Sequence, residues 1–240
     1  MTAQSSEPSS VHVLLDLDGT LSDSSLGIGR SLQHAFSTCG YEPPTDAQVR
    51  SVIGPPFEVS FPTLGIPTED IGRVVEAYRE RYEDVGLFEN EVYPGIAEML
   101  DELADAGFVV SLATAKPQTT AIRIVEHFGF SHHFTVQAGA SNAVGVGRRT
   151  KAQVITYALA ELGLAGESDG DHRGDHRNGH HAVMIGDRDH DVEGARHNGI
   201  DCIGVTWGFG SSAELDGAGA RALVDSPGEV AAAVMATYRS

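Results

Sequence analysis

The chain has 240 residues, 41% hydrophobic and 21% charged, enough to bury one sizeable core and too globular in balance for a disordered or fibrous protein. Its 16 Lys+Arg against 34 Asp+Glu give a formal charge of −18, a surface that repels nucleic-acid phosphates and anionic lipid, so neither is an expected partner. No apolar run reaches the ~18–20 residues that cross a bilayer, and two cysteines, Cys39 and Cys202, make no disulfide framework. Two reduced thiols in a cytoplasmic protein are expected.

Residues 1–10 are polar, with neither a basic flank nor an apolar centre, and read as a short frayed arm rather than a signal peptide. Val11–Leu15 is a short apolar run that stops at Asp16, the pattern of a buried parallel strand. From about Ser24 to Leu87 only helical spacings occur. Ile28, Leu32, Ala35, Phe36 and Cys39 form one stripe, and Ile71, Val74, Val75, Tyr78 and Tyr82 another, with Gly54-Pro55-Pro56 and Phe61-Pro62 between them. The alternation then resumes. Ile96, Met99, Leu100 and Leu103 predict a helix ending at Gly107, and Phe108–Ala113 predicts a strand. A Gly-rich stretch, Gly139 to Gly147, precedes a helix starting at Lys151 with Val154, Ile155, Ala158, Leu159 and Leu162 on its apolar face. Ala182–Ile185 and Cys202–Val205 predict two further strands.

Strand, helix, strand, helix means parallel pairing with right-handed crossovers, hence an α/β fold with a doubly wound parallel sheet. Residues 11–23 and 91–240 form the core, and 24–90 an inserted α-helical cap domain. Leaving from the end of the first strand, the insert roofs the crevice where ligands bind in such sheets. Residues 166–181, with four His, three Asp and four Gly, bury nothing and predict a flexible loop within the core. Weak metal binding by its histidines is the rival reading.

The chemistry concentrates at strand ends. Asp16 and Asp18, two apart in Asp-Leu-Asp-Gly-Thr, project to one side of an extended chain and repel unless a cation sits between them. A polar strand end with a turn at Gly19 reads as well from these residues alone. Thr114, followed by a helix start at Ala115-Lys116-Pro117, offers either an N-cap or a hydroxyl beside helix amides that seats phosphate. Lys151 at a helix start is a surface charge unless it pairs with anions. In Gly186-Asp187-Arg188-Asp189-His190-Asp191, Asp187 and Asp191 at i, i+4 share a helix face and suit Mg²⁺, whereas Asp189 points elsewhere.

Asp-x-Asp-Gly-Thr, then Thr, then Lys, then Gly-Asp-x-x-x-Asp, in that order from Val11 to about Pro227, resembles the haloacid dehalogenase-like (HAD) hydrolase superfamily. The helical cap, with Ile53-Gly54-Pro55-Pro56, Gly86-Leu87-Phe88-Glu89-Asn90 and Met184-Ile185-Gly186-Asp187-Arg188, is similar to that superfamily's phosphoglycolate phosphatase-like and 5′-nucleotidase-like branch. Residues 166–181 depart from it, where relatives have a short turn. The resemblance implies a phosphatase acting on a small phosphorylated metabolite, phosphoglycolate-like or a nucleoside 5′-monophosphate. It implies Asp16 as the nucleophile that becomes an aspartyl-phosphate, and Asp18 as general acid and then base. Mg²⁺ would be held by Asp16, the Asp18 carbonyl and Asp187 with Asp191 in support, and phosphate by Thr114 and Lys151.

A phosphotransferase, whether a sugar-phosphate mutase or a protein-tyrosine phosphotransferase, would share these motifs, though no nucleotide-binding glycine loop is present. Haloacid dehalogenation has no use for Asp18. Arg30, Arg50, Arg73, Arg79 and Arg81 of the cap are all possible substrate contacts, and the assembly is expected to be a monomer or homodimer.

Overall fold

The computed structural model describes residues 10–54, 57–141, 147–164, 175–176 and 180–238. The expected N-terminal arm, apart from Ser10, and most of the His/Asp/Gly-rich segment lie outside these. In chain order the elements are β1 (Val11–Leu15), β2 (Ser22–Asp23), α1 (Ser25–Thr38), α2 (Asp46–Val52), α3 (Phe57–Thr63), α4 (Ile71–Asp84) and β3 (Glu91–Val92). There follow α5 (Ile96–Asp105), β4 (Val109–Pro117), α6 (Gln118–His127), β5 (Gln137–Ala140), α7 (Lys151–Glu161), β6 (Asp175–His176) and β7 (His180–Gly186). The chain closes with α8 (Asp189–His197), β8 (Asp201–Val205), α9 (Ser212–Ala218), β9 (Ala222–Val224) and α10 (Val230–Tyr238).

Six strands run parallel in the order β5-β4-β1-β7-β8-β9. The chain winds outward from β1 through β4 to β5, returns to β7 beside β1, and winds outward again, so its direction reverses at β1. That reversal opens a crevice at the carboxyl ends of β1, β4 and β7. Because side chains alternate across a strand, Val13 and Leu15 join a core with α5, α6 and α10, while Leu14 faces α7 and α8 with Ala113 and Met184. Both faces are covered, which is why these strands read as continuous apolar runs.

Between Ser25 and Phe88 the described residues form helices and turns only. The two-stranded β2–β3 ribbon, with Ser22 opposite Val92 and Asp23 opposite Glu91, brings the outgoing and returning chains together at the neck of this insert. Its interior is aromatic: Phe57 lies 4.6 Å from Phe61 and 4.8 Å from Tyr78, and Tyr78 stacks on Tyr82 at 5.1 Å between ring centroids. Arg30 and Arg81 both pair with Glu89, and Arg73 pairs with Asp70, so these three hold the insert's own surface. Arg50 is exposed on α2.

The sheet departs from the sequence reading in three places. β7 begins at His180 rather than Ala182, and Asp175–His176 pairs antiparallel with His180–His181, so this part of the 166–181 segment is strand. β5 takes Gly139 and Ala140 from what read as a Gly-rich loop. β4 runs on to Pro117 through an irregular register, and α6 starts only at Gln118. Pro117 keeps the residue before it extended, which delays the helix. Both cysteines are free, Cys202 buried and Cys39 half-buried.

Candidate active site

Asp16 is the first residue past β1, held there by its N–H donating to the Ile185 carbonyl at 3.0 Å. Its carboxylate is buried and lies 2.7 Å from Lys151 Nζ. Lys151 is the first residue of α7, placed by a capping box in which Thr150 and Gln153 satisfy each other's backbone N–H groups. The ammonium turns inward, reaching the Ala113 carbonyl at 3.0 Å and Asp191 at 2.8 Å. It is no surface charge. Against the downward push of burial, Asp16 and then Asp191 hold its pKa above the ordinary lysine range.

After Leu17 the chain turns through Gly19 at φ +82°, and a Cβ on Gly19 would lie 2.2 Å from Asp187 Oδ2. Only glycine allows that approach and that backbone. Asp187 follows β7 directly and precedes α8, so it lies off the helix face that the i, i+4 spacing to Asp191 predicted. Its carboxylate is instead oriented by the Phe209 N–H at 2.8 Å and the Thr20 hydroxyl at 3.3 Å. Asp191 lies inside α8 and accepts from the Arg188 N–H at 3.1 Å. Asp189 is half exposed and points elsewhere, as expected.

Asp16, Asp187 and Asp191 are all buried, and two of them, Asp16 and Asp191, hold the one buried ammonium between them. Asp191 is kept low, since Lys151 and then His190 outweigh the upward push of burial. Asp187 has no ion-pair partner among the described residues. Burial first, then the charges of Asp191 and Asp16, push it up to about 7. An uncompensated oxygen-donor cluster of this kind fits a divalent cation. Asp16, His190 and Asp191 also present ligand atoms within 4.8 Å of one another, but Lys151 already bridges Asp16 and Asp191 there. Of the three acids, only Asp187 stands outside that ion pair.

Thr114 is buried in β4, and its hydroxyl accepts from the Lys116 N–H at 3.2 Å. With β4 running to Pro117 and α6 beginning at Gln118, Ala115–Pro117 are strand and not the expected helix start. Asp16, Asp18 and Thr114 line one cavity of about 240 Å³, with Lys151, Asp187 and Asp191 packed behind it. The insert roofs this cavity with Val52, Ile53, Phe57, Val75, Tyr78 and Tyr82. Of the five insert arginines named from sequence, only Arg79 lines it.

Sequence reasoning missed Lys116, Arg148, Arg149, Arg188 and His190, which also line the cavity. Lys116 is the most consequential: its Nζ lies 2.5 Å from Asp18 Oδ2, with only 6% of the lysine side chain and 14% of the aspartate side chain exposed. Arg149 with Glu58 at 2.6 Å and Arg188 donating to the Ile53 carbonyl at 2.7 Å are among the contacts that tie core to insert at the cavity.

Two acids just past the end of β1, a threonine in β4, a buried lysine at the start of α7, and one acid after β7 with another in α8 make one constellation. Residues 13–205 match the family described as haloacid dehalogenase-like hydrolase. The chain belongs to that family. It is 41% identical over 206 residues to a 5′-nucleotidase of Pseudomonas aeruginosa, covering 85% of this chain and 86% of that one. It is 37% identical over 204 residues to the tyrosine-protein kinase PtkA of Mycobacterium tuberculosis, covering 85% of this chain and 65% of that relative's length. A solved structure titled a "predicted phosphatase" from Clostridium acetobutylicum superposes with a TM-score of 0.83 at 35% identity, over 95% of this chain and 99% of that one. This HAD-like protein is a phosphatase, a phosphoric monoester hydrolase. Among its described residues, no helix is long and apolar enough to cross a membrane.

Proposed function

We propose that this HAD-like hydrolase cleaves a small phosphomonoester through an aspartyl-phosphate on Asp16, with Mg²⁺ as cofactor. The observation that carries this reading is the Asp16–Lys151 pair on the floor of a cavity whose wall holds Asp18 and Thr114. Asp16 attacks phosphorus without prior deprotonation, because a carboxylate already carries its lone pair. Lys151 fixes the attacking group in line, and its charge together with the Thr114 hydroxyl balances the phosphoryl oxygens. Asp18 gives a proton to the leaving alkoxide as the P–O bond breaks, then takes one from the water that attacks the acyl-phosphate. Asp16, the Asp18 carbonyl and Asp187, with Asp191 in support, would hold Mg²⁺, which when bound supplies neutralisation of phosphoryl charge.

The helical insert serves as the cap that sets specificity. Its apolar and aromatic wall suits a flat leaving group such as a nucleoside, so a nucleoside 5′-monophosphate is favoured over phosphoglycolate, whose carboxylate finds only Arg79 on that wall. Transfer to an acceptor other than water remains the second reading, favoured by the 37% identity to a protein named as a tyrosine kinase.

The test is phosphate release from a panel of phosphorylated metabolites, with Mg²⁺ and with EDTA. Asp16→Asn is expected to abolish turnover with the fold intact, and acid-quenched wild-type enzyme to carry a hydroxylamine-labile phosphoryl group that the variant lacks. Substantial turnover by the variant sinks Asp16 as nucleophile. Label passing to a hydroxyl acceptor faster than to water would favour the phosphotransferase.

A further inference from the structure

We propose that Lys116 is a positioning residue that pins one oxygen of Asp18 and leaves the other to exchange the proton, with Tyr82 of the insert closing over the pin. The inference rests on the reading of Asp18 as acid and base. The two oxygens of Asp18 have different surroundings. Oδ2 is 2.5 Å from the Lys116 ammonium, whereas Oδ1 is buried without a hydrogen-bond partner. A buried carboxylate oxygen left unpartnered is costly, and Oδ1 belongs to a residue that lines the cavity beside Asp16. Oδ1 is therefore the oxygen placed to hand a proton to a leaving alkoxide and to recover one from water. If the carboxylate rotated freely, its two oxygens would exchange places and the proton would spend half its time on the wrong one. A charge-assisted hydrogen bond from a buried ammonium prevents that rotation.

The lysine is itself held. It follows Thr114 by two residues on the extended end of β4, so both side chains face the crevice. Its Nζ lies 5.3 Å from the centre of the Tyr82 ring, a cation–π contact made across the junction of core and insert. Tyr82 stacks on Tyr78, so the aromatic roof of the cavity also roofs this ion pair. Orientation of the acid is in this way coupled to the seating of α4.

The loss of a positioned proton donor falls on poor leaving groups and spares good ones. Single-turnover phosphorylation of the enzyme would be measured with p-nitrophenyl phosphate, whose leaving group needs no proton, and with an alkyl phosphomonoester that the wild type hydrolyses. Asp18→Asn calibrates the assay: its alkyl rate is expected to fall by roughly 10²–10⁴-fold and its aryl rate by much less. Lys116→Met is expected to raise the aryl-to-alkyl ratio by about tenfold or more, with little change in KM, and Lys116→Arg to recover part of it. Tyr82→Leu is expected to shift the ratio in the same direction by less. The Asp18→Asn, Lys116→Met double variant is expected to add nothing to the ratio of Asp18→Asn alone.

Should Lys116→Met fail to fold, Lys116→Arg and Tyr82→Leu, checked by thermal melting, carry the test. If Asp18→Asn leaves the ratio at the wild-type value, the acid reading itself fails. If it raises the ratio while folded Lys116 variants do not, the positioning role is overturned alone. A KM increase with an unchanged ratio would also overturn it, by assigning Lys116 to substrate.

Discussion

Asp187 is where stability and function pull in opposite directions. Its ordinary carboxyl value of 3.8 is pushed up to about 7 in the fold by burial and by Asp191 and Asp16. Between about pH 4 and pH 7 the folded state therefore binds more protons there than the unfolded chain does. The metal-free protein loses stability from this group as pH rises through that window. Asp187→Asn removes the charge while leaving an oxygen to accept from Phe209 N–H and an amide to reach Thr20. In EDTA at pH 8 the variant is expected to be more stable than the wild type by about 1–3 kcal/mol, with the gap closing toward pH 4. Urea unfolding at both pH values measures it, and parallel pH dependences for the two proteins would dismiss the strain. The same variant is expected to lose its response to Mg²⁺. Gly19→Ala approaches the acid from the other side: its Cβ would strike Asp187 at a positive φ, so loss of activity is expected in assays with saturating Mg²⁺.

At the scale of elements, the helices that face the sheet were legible because burial imposes their period. Ile96, Met99, Leu100 and Leu103 recur at 3.6-residue spacing and are all fully buried against the strands. The motifs at the ends of β1, β4 and β7 were legible because those strands end where their apolar runs end or shortly after. What stayed hidden depends on pairing rather than pattern. β2 and β3 are two residues each, and β9 is three, too short to show a period. Lys116 went unnoticed because Ala115-Lys116-Pro117 read as a helix start. A strand prolonged by Pro117 puts residues 114 and 116 on one side, and that alternation was the available signal. The position of β7 also bears on residues 166–181. β7 begins at His180 and ends at Gly186 beside Asp187, so His180 and His181 lie at the amino end of the strand, away from the crevice. Deleting Asp169 to Gly179 removes β6, which pairs only two residues of β7, and changes loop-closure entropy little. Steady-state kcat is expected within about threefold of wild type, while any Ni²⁺ or Zn²⁺ binding by the histidines is lost. A large fall in kcat with the melting curve preserved would place the segment at the active site after all.

For the whole molecule, the −18 formal charge and the three-acid cluster make competing claims on a divalent cation. A diffuse acidic surface gathers Mg²⁺ weakly, and salt screens that attraction over a Debye length of about 8–10 Å. A buried cluster binds at a defined point, is screened far less, and stabilises only the folded state. Mass action then raises stability by about 2.7 kcal/mol when free metal is a hundredfold above its dissociation constant. For a domain of this size each kcal/mol moves the melting temperature by about 2–4 °C, so a rise of roughly 5–10 °C over EDTA is expected. Because the metal competes with the proton on Asp187, the rise should be smaller at pH 6 than at pH 8. Melting in Mg²⁺ must be compared with Na⁺ at matched ionic strength, which reproduces the surface effect and leaves the buried one out. In Asp187→Asn the Mg²⁺-specific part is expected to vanish while the Na⁺ response persists. If wild type and variant gain equally from Mg²⁺, the stabilisation belongs to the surface and Asp187 holds no metal.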